Sequence, residues 1–140
     1  MTDQLLQLSA DTRRTGGILL LTVLAVEWGG WHLLRVARGR VPRTELQQRM
    51  ERAGHAHAGV LVILSLVVLI YADAVAMPTW LAAIARNGVP VAAILMPAGF
   101  FLSVIGRDVK RPNQLLMLVY AGLVCVALGV GSLGIGLLVS

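Results

Sequence analysis

No charged side chain occurs in the 26 positions of residues 114–139, which read QLLMLVYAGLVCVALGVGSLGIGLLV. An α-helix rises about 1.5 Å per residue and the hydrocarbon core of a bilayer is about 30 Å thick, so about 20 apolar residues cross it. Three further apolar blocks occupy residues 15–36, 57–76 and 89–106. Because only short connections separate the blocks, we predict an all-α fold, an integral membrane four-helix bundle in which residues 1–140 form one transmembrane domain.

The composition excludes a water-soluble protein. Hydrophobic residues make up 57% of the chain and charged residues 14%, and the mean hydropathy is +0.79. A folded domain of this composition lacks the polar side chains to cover its surface in water. The net charge of +5 does not indicate nucleic-acid binding, because the basic residues lie in short connections beside the membrane spans, where they act as topology signals and lipid contacts.

Local signals predict where helices begin and end in the polar connections. Thr44 followed by Gln47 has the form of a capping box, so the helix that contains the second span should begin at Thr44, before the membrane. We expect a separate short helix over residues 79–86, lying in the headgroup layer and ended by the Asn-Gly pair at 87–88. Pro90 would then occupy the first turn of the third span, where its missing N–H costs nothing.

Basic residues are unevenly distributed between the two sides of the membrane. The first and third connections hold nine Lys and Arg residues, whereas the opposite side holds three, Arg13, Arg14 and Arg86. By the positive-inside rule the two basic connections should be cytoplasmic and both chain termini outside, in a multi-pass protein of the cell (plasma or inner) membrane. Six arginines of the first connection are predicted to contact lipid headgroups: Arg35, Arg38, Arg40, Arg43, Arg49 and Arg52.

Glu27 lies close to the middle of the first span. An ionised carboxylate at the centre of the bilayer costs about 3 kcal/mol on insertion scales, so Glu27 should face protein or water or be protonated. We interpret it as a proton- or substrate-binding residue, with Trp31 one turn away on the same face as an aromatic wall for an organic cation. The alternative is a neutral carboxyl group that hydrogen-bonds to a neighbouring helix.

Residues 27–35, which read EWGGWHLLR, resemble the first helix of the small multidrug resistance transporters. Those proteins also have four short spans, a membrane glutamate in the first helix, a glycine three residues later and a basic residue at the end of the helix. The resemblance covers nine of the 140 residues. It implies that Glu27 alternates between binding protons and binding a cationic substrate, with Trp31 beside it.

The predicted topology brings three histidines to one membrane depth. His32 is near the cytoplasmic end of the first span, and His55 and His57 are at the cytoplasmic entrance of the second. Two or three imidazoles at one level can bind a transition metal or ligate haem, so these are the cofactors that the cluster would hold. Positions 55 and 57 are about 200° apart on a regular helix, so His32 should pair with only one of them. The alternative is that the histidines are ordinary boundary residues.

Small residues recur along the fourth span at the spacing that lets helices approach closely: Ala121, Cys125, Gly129, Ser132 and Gly136. The expected partners are the lipid bilayer and either a homo-oligomer or a larger membrane complex; nucleic acid is not expected. No enzyme signature occurs, neither a nucleophile elbow nor a phosphate-binding loop nor a zinc-protease motif. Two functions are open: an accessory subunit or small transporter-like protein that uses the membrane carboxylate, and a haem- or metal-binding membrane protein.

Overall fold

The computed structural model describes residues 7–140, and this part of the chain consists of four long helices without a strand. Helix α1 spans Ala10–Ala37, α2 Glu45–Ala74, α3 Thr79–Leu102 and α4 Met117–Val139, and a 3-10 turn at Gln114–Leu116 leads into α4. All four helices are long and apolar enough to cross a membrane. The predicted all-α, four-helix membrane fold is confirmed. The predicted domain also includes residues 1–6, which lie outside the described residues.

Side-chain caps fix where α1 and α2 begin. The hydroxyl of Thr44 accepts a hydrogen bond from the backbone N–H of Gln47 (3.2 Å), and the Gln47 side chain accepts one from the backbone N–H of Thr44 (3.0 Å). This reciprocal pair is the predicted capping box, and it starts α2 well before the apolar section of that helix. Ser9 caps α1 more simply, by accepting a hydrogen bond from the N–H of Thr12 (3.1 Å).

The interfacial helix expected before the third span does not form a separate element. Residues 79–86 are the first turns of α3, which continues through them without a break. Asn87 stays helical, with its side-chain amide donating to the carbonyl of Ala83 (2.8 Å), and Gly88 packs directly on α4. Pro90 therefore lies inside the helix and not in its first turn. The Asn-Gly pair has the form of a helix stop, but Gly88 instead allows α3 to pack closely on α4.

Glycines bring α3 and α4 together in the packed part of the bundle. A Cβ atom added at Gly88 would lie 2.6 Å from the carbonyl oxygen of Cys125 and 2.7 Å from Cα of Gly129. One added at Gly99 would lie 2.7 Å from the backbone nitrogen of Val119. At this separation the Cα atoms of Gly88 and Gly99 have room for a hydrogen atom but not for a Cβ atom. The buried apolar core beside this contact includes Leu61, Val68 and Ala72 of α2, Ala85, Val89 and Ala92 of α3, and Leu133 of α4.

Helix α1 is the peripheral member of the bundle. Only Thr12, Leu19 and Val36 are buried among its 28 residues. Leu19 packs with Val62 and Leu69 of α2, and this small cluster is separate from the main core. Most of the remaining surface of α1 faces away from the other helices.

The connections between the helices gather at two ends of the bundle. Thr44 donates its hydroxyl hydrogen to the carbonyl of Val109 (3.0 Å), and the Gln47 side chain donates to the carbonyl of Val104 (3.0 Å). These bonds join the first connection to the third, and this end of the bundle is named the loop end. The opposite end, where the second connection and the start of α1 lie, is named the terminal end.

Candidate functional site

Glu27 lies on the outer face of α1, away from the other helices. Its side chain is exposed, and it makes no hydrogen bond or ion pair with any side chain or backbone group from residue 7 to residue 140. Trp31 is 50% exposed, and the adjacent Trp28 is 73% exposed. The carboxylate and the two indole rings therefore belong to an outward surface of α1 and not to a cavity within the single chain.

A regular apolar strip surrounds Glu27. Leu20, Leu24, Trp31 and Leu34 are exposed by 59%, 69%, 50% and 41% respectively. With Glu27 these residues recur every three or four positions, which is the spacing at which the side chains of two helices interlock. The five residues are named the α1 seam. The seam is thus an apolar strip with one carboxylate at its centre.

His32 lies against Glu51 of α2. The imidazole Nε2 of His32 is 3.4 Å from Oε2 of Glu51, and the guanidinium Nε of Arg43 donates to Oε1 of Glu51 at 2.7 Å. The Glu51 side chain is only 8% exposed, and its Oε2 has no hydrogen-bond partner among the described residues. A buried carboxylate between a guanidinium and an imidazole is therefore the polar centre of the loop end. Glu51 already has the guanidinium of Arg43 as its counter-ion, so it does not need a bound cation to balance its charge.

The other two histidines face different neighbours. The His55 ring packs against the Gly29-Gly30 pair of α1, where an added Cβ would lie 3.3 Å from ring atoms. His57 donates its Nδ1 hydrogen to the carbonyl of Ala53 (2.8 Å), and its ring lies beside that of Phe100 in α3, with centroids 5.0 Å apart. His55 therefore faces α1 and His57 faces α3, as two positions about 200° apart on a helix must.

The structure does not bring the three histidines together as a ligand set. Over residues 7–140, no three His, Cys, Asp or Glu side chains lie close enough to hold a metal ion. Each of the three imidazoles instead has its own protein neighbour: a carboxylate, a glycine pair and a phenyl ring.

The arginines predicted to contact lipid headgroups differ in their surroundings. Five are exposed at the loop end: Arg35, Arg38, Arg40, Arg49 and Arg52. Arg43 turns inward and binds Glu51, so it holds protein segments together. Sequence reasoning overlooked Glu51, because a carboxylate among many arginines has the pattern of a solvated surface residue. Glu51 lies one turn before His55 on the same face of α2, and this position could have indicated that both side chains face α1.

A second polar cluster, also overlooked from the sequence, joins three helices at the terminal end. Arg86 of α3 forms a salt bridge with Asp73 of α2 (2.6 Å), whose side chain is only 3% exposed. Arg86 also donates to the hydroxyl of Thr12 (3.0 Å) and to the carbonyl of Ala72 (3.0 Å). Asp73 accepts a hydrogen bond from the backbone N–H of Ser9 (2.8 Å). In the sequence, Asp73 and Arg86 have the pattern of isolated boundary residues. Their opposite charges at the same membrane boundary could have indicated that they form a salt bridge.

An apolar groove runs between α1 and α3, from one polar cluster towards the other. It has a volume of about 370 Å³ and is open on one side. Helix α2 forms its floor with His55, Ala58 and Val62, while side chains such as Val26 of α1 and Ile94 of α3 form its walls. Among the described residues that line it, His55 supplies the one titratable group. Glu27 does not line this groove.

At the terminal end the groove meets a second, polar cavity. This cavity has a volume of about 420 Å³, and its lining includes Asp11, Arg14 and Asn87. Thr15 and Ile18 line both spaces, so the groove and the polar cavity are adjacent along α1.

Comparisons with protein-family models, with curated proteins and with solved structures gave no match to this chain. The coarse description follows from the four helices alone: this is a small multi-pass membrane protein.

Proposed function

We propose that this small membrane protein is an accessory subunit that binds a larger membrane complex through the α1 seam. The observation that carries the proposal is the position of Glu27, a carboxylate deep in a membrane span on an exposed and otherwise apolar helix face. An ionised carboxylate that faces lipid at this depth costs about 3 kcal/mol. A partner helix that offers a hydrogen-bond donor or a cation at the same depth removes this cost.

The pattern of the seam supports helix docking over simple lipid exposure. A lipid-facing helix needs only apolar side chains, whereas the seam has a carboxylate at its centre. The three-four spacing of the seam allows its side chains to interlock with a second helix. One polar residue in such a strip fixes the register of the two helices, because only one alignment gives it a partner. Helix α1 is also free to present this face, since few of its residues are used inside the bundle.

A transporter-like function of the single chain has less support from the same geometry. Glu27 and Trp31 face outward and do not line the groove, so one chain provides no path past the carboxylate. Transport through Glu27 would require a second copy that closes a cavity over the seam. The two alternatives therefore differ in the partner expected at the α1 seam. A homo-oligomer places a second copy of this chain there, whereas an accessory subunit places a different protein there.

Site-specific photo-crosslinking in native membranes tests the proposal. A photoreactive amino acid in place of Leu24 (69% exposed) is expected to form an adduct with a different protein, whereas the same probe in place of Leu128 of α4 (55% exposed) is not. Replacing Glu27 by Leu should reduce the Leu24 adduct at least about tenfold, the effect of losing one charge-assisted hydrogen bond in an apolar setting.

Three outcomes would contradict the accessory-subunit proposal. Equal adducts at positions 24 and 128 would show that the seam has no special partner. An adduct of twice the 14.9 kDa chain mass would show that the seam joins two copies of this chain, which favours the transporter-like alternative. Persistence of the adduct in the Glu27→Leu variant would remove the carboxylate from the argument.

We also propose that the loop end is cytoplasmic. Nine of the twelve Lys and Arg residues lie in or beside the first and third connections. A reporter enzyme that is active only outside the cytoplasm, fused after Ser140, is expected to be active. Activity of a cytoplasm-dependent reporter at the same point would reverse the topology.

A further inference from the structure

We propose that the groove between α1 and α3 binds one acyl chain of an ethanolamine-type phospholipid, whose zwitterionic headgroup lies in the polar cavity at the terminal end. This inference rests on the groove and the polar cavity. The α1 seam is on the opposite face of α1, so lipid binding stands independently of the proposed function.

The dimensions of the groove fit a single hydrocarbon chain. Its lining along α1 extends from Thr15 to Gly29, a rise of about 21 Å along the helix. A volume of about 370 Å³ along this length suits one extended chain that runs along the membrane normal.

The lining of the groove favours a chain without polar groups. Thr22 donates its hydroxyl hydrogen to the carbonyl of Leu19, so this hydroxyl hydrogen is already used inside α1. His55 lies at the end nearer the loop end, with its ring against the glycines of α1. Methylene groups in the groove would regain the dispersion contacts that an empty space between packed helices loses.

The polar cavity supplies specificity for the headgroup. Arg86 is already bound to Asp73, so its charge is not free for a ligand. Asp11 and Arg14, by contrast, are exposed, and neither side chain has a hydrogen bond or ion pair with residues 7–140. They are three residues apart on α1 and both line the cavity.

The charges of Asp11 and Arg14, which have no partner among residues 7–140, match the two charges of a phosphoethanolamine headgroup. The guanidinium of Arg14 suits the two oxygens of a phosphate, and the carboxylate of Asp11 suits an ammonium group a few bonds away. The side-chain amide of Asn87, on the other wall of the cavity, is partly used in its bond to the carbonyl of Ala83. An anionic headgroup without an ammonium group would place Asp11 beside a like charge.

Native mass spectrometry of the full chain, released from bilayer discs with equal amounts of phosphatidylethanolamine and phosphatidylglycerol, tests the headgroup. We expect one retained phosphatidylethanolamine per chain, favoured over phosphatidylglycerol. Arg14→Gln should weaken its retention about tenfold, the usual effect of losing one charge-assisted hydrogen bond. Asp11→Asn should abolish the preference between the two lipids. Equal retention of both lipids by the unmodified protein would overturn the headgroup assignment.

A matched pair of alanine variants tests the groove. Ala25 and Ala127 are both exposed, but only Ala25 lines the groove. Ala25→Trp should lose the bound lipid, whereas Ala127→Trp on α4 should keep it. Equal lipid retention by the two variants would overturn the groove assignment.

A measurement on the unmodified protein covers the case in which Ala25→Trp fails to fold. Phosphatidylethanolamine with a diazirine in its acyl chain should label residues 15–29 of α1 and 90–94 of α3. Labelling spread evenly over all four helices would overturn the proposal. The Glu27→Leu variant should keep its lipid, so loss of partner binding and loss of lipid binding are distinguishable.

Discussion

The contact between α3 and α4 and the attachment of α1 join helices in opposite ways. Gly88 and Gly129 let two backbones approach until nothing fits between them. Helix α1 is instead held by scattered contacts: Thr12 binds Arg86 at the terminal end, Leu19 packs on α2, and His32 lies beside Glu51 at the loop end. A groove separates the middle of α1 from α3. Lipid tails are as apolar as leucine, so helices in a bilayer are held by close packing or by polar bonds. This chain uses close backbone packing for its core, and a small apolar cluster with polar contacts at both ends for its outer helix.

Breaking the polar cluster at the terminal end should have the largest effect. Arg86→Met leaves Asp73 buried without a counter-ion, which should lower the free energy of unfolding by about 3 kcal/mol or more. Unfolding of the purified protein in mixed micelles measures this loss. Arg13→Met, at an exposed arginine of α1, is the matched control and should be nearly neutral. Adding Asp73→Asn to Arg86→Met should recover part of the loss; equal stability of the two single variants would contradict a structural role for the cluster.

A single methyl group between α3 and α4 should have the next largest effect. In Gly88→Ala the new Cβ meets backbone atoms of α4, which cannot move aside, so we expect a loss of about 1–3 kcal/mol. Gly131→Ala is the matched control, because no atom lies within 4 Å of its added Cβ. That variant should be neutral or more stable by up to about 1 kcal/mol, the gain in helix propensity. Similar unfolding curves for the two variants would refute the close approach of α3 and α4.

Weakening the loop-end cluster should affect α1 and leave the core unchanged. Glu51→Gln removes the buried charge that binds Arg43 and lies beside His32, for an expected loss of about 1–2 kcal/mol. Faster amide hydrogen exchange in the last turns of α1, without a change in α4, is the expected signature. Glu45→Gln breaks only the exposed pair with Arg49 and should change little. Equal exchange in the two variants would show that α1 is not fastened at Glu51.

The smallest effect on the isolated protein is expected at Glu27. Glu27→Leu should change the free energy of unfolding by less than about 0.5 kcal/mol, because the side chain has no partner within the described chain. The same unfolding measurement in mixed micelles gives this value. A loss as large as that of Glu51→Gln would mean that Glu27 is already buried against another subunit in the purified protein.

The four helices and the start of α2 could be predicted because both depend on neighbouring residues. Apolar length alone reveals a membrane span, and the Thr44 capping box lies within four residues of sequence. The course of α3 could not be predicted in this way. Glycine at position 88 fits either a helix end or a close helix contact, and the choice is made by Gly129, far away in α4.

The sequence predicts the membrane depth of the candidate site residues, but it does not predict to which side of the helix axis their side chains point. His32 lies beside Glu51, and His55 lies beside Gly29 and Gly30, towards the loop end. Which neighbour each ring meets depends on how α1 and α2 are rotated about their axes, and hydropathy does not fix that rotation when a helix is apolar on most sides. The buried partner Glu51 was overlooked because a carboxylate among many arginines has the pattern of a solvated surface residue. Its face of α2 becomes an interior face only once α1 is in position.

The position of α1 determines from which side the groove can be reached. The groove lies between two membrane spans and is open on one side. No hydrogen bond or ion pair joins the middle of α1 to α3 among residues 7–140, so no polar contact closes that side. The lipid proposed above can therefore reach the groove laterally from the bilayer, without passing through water.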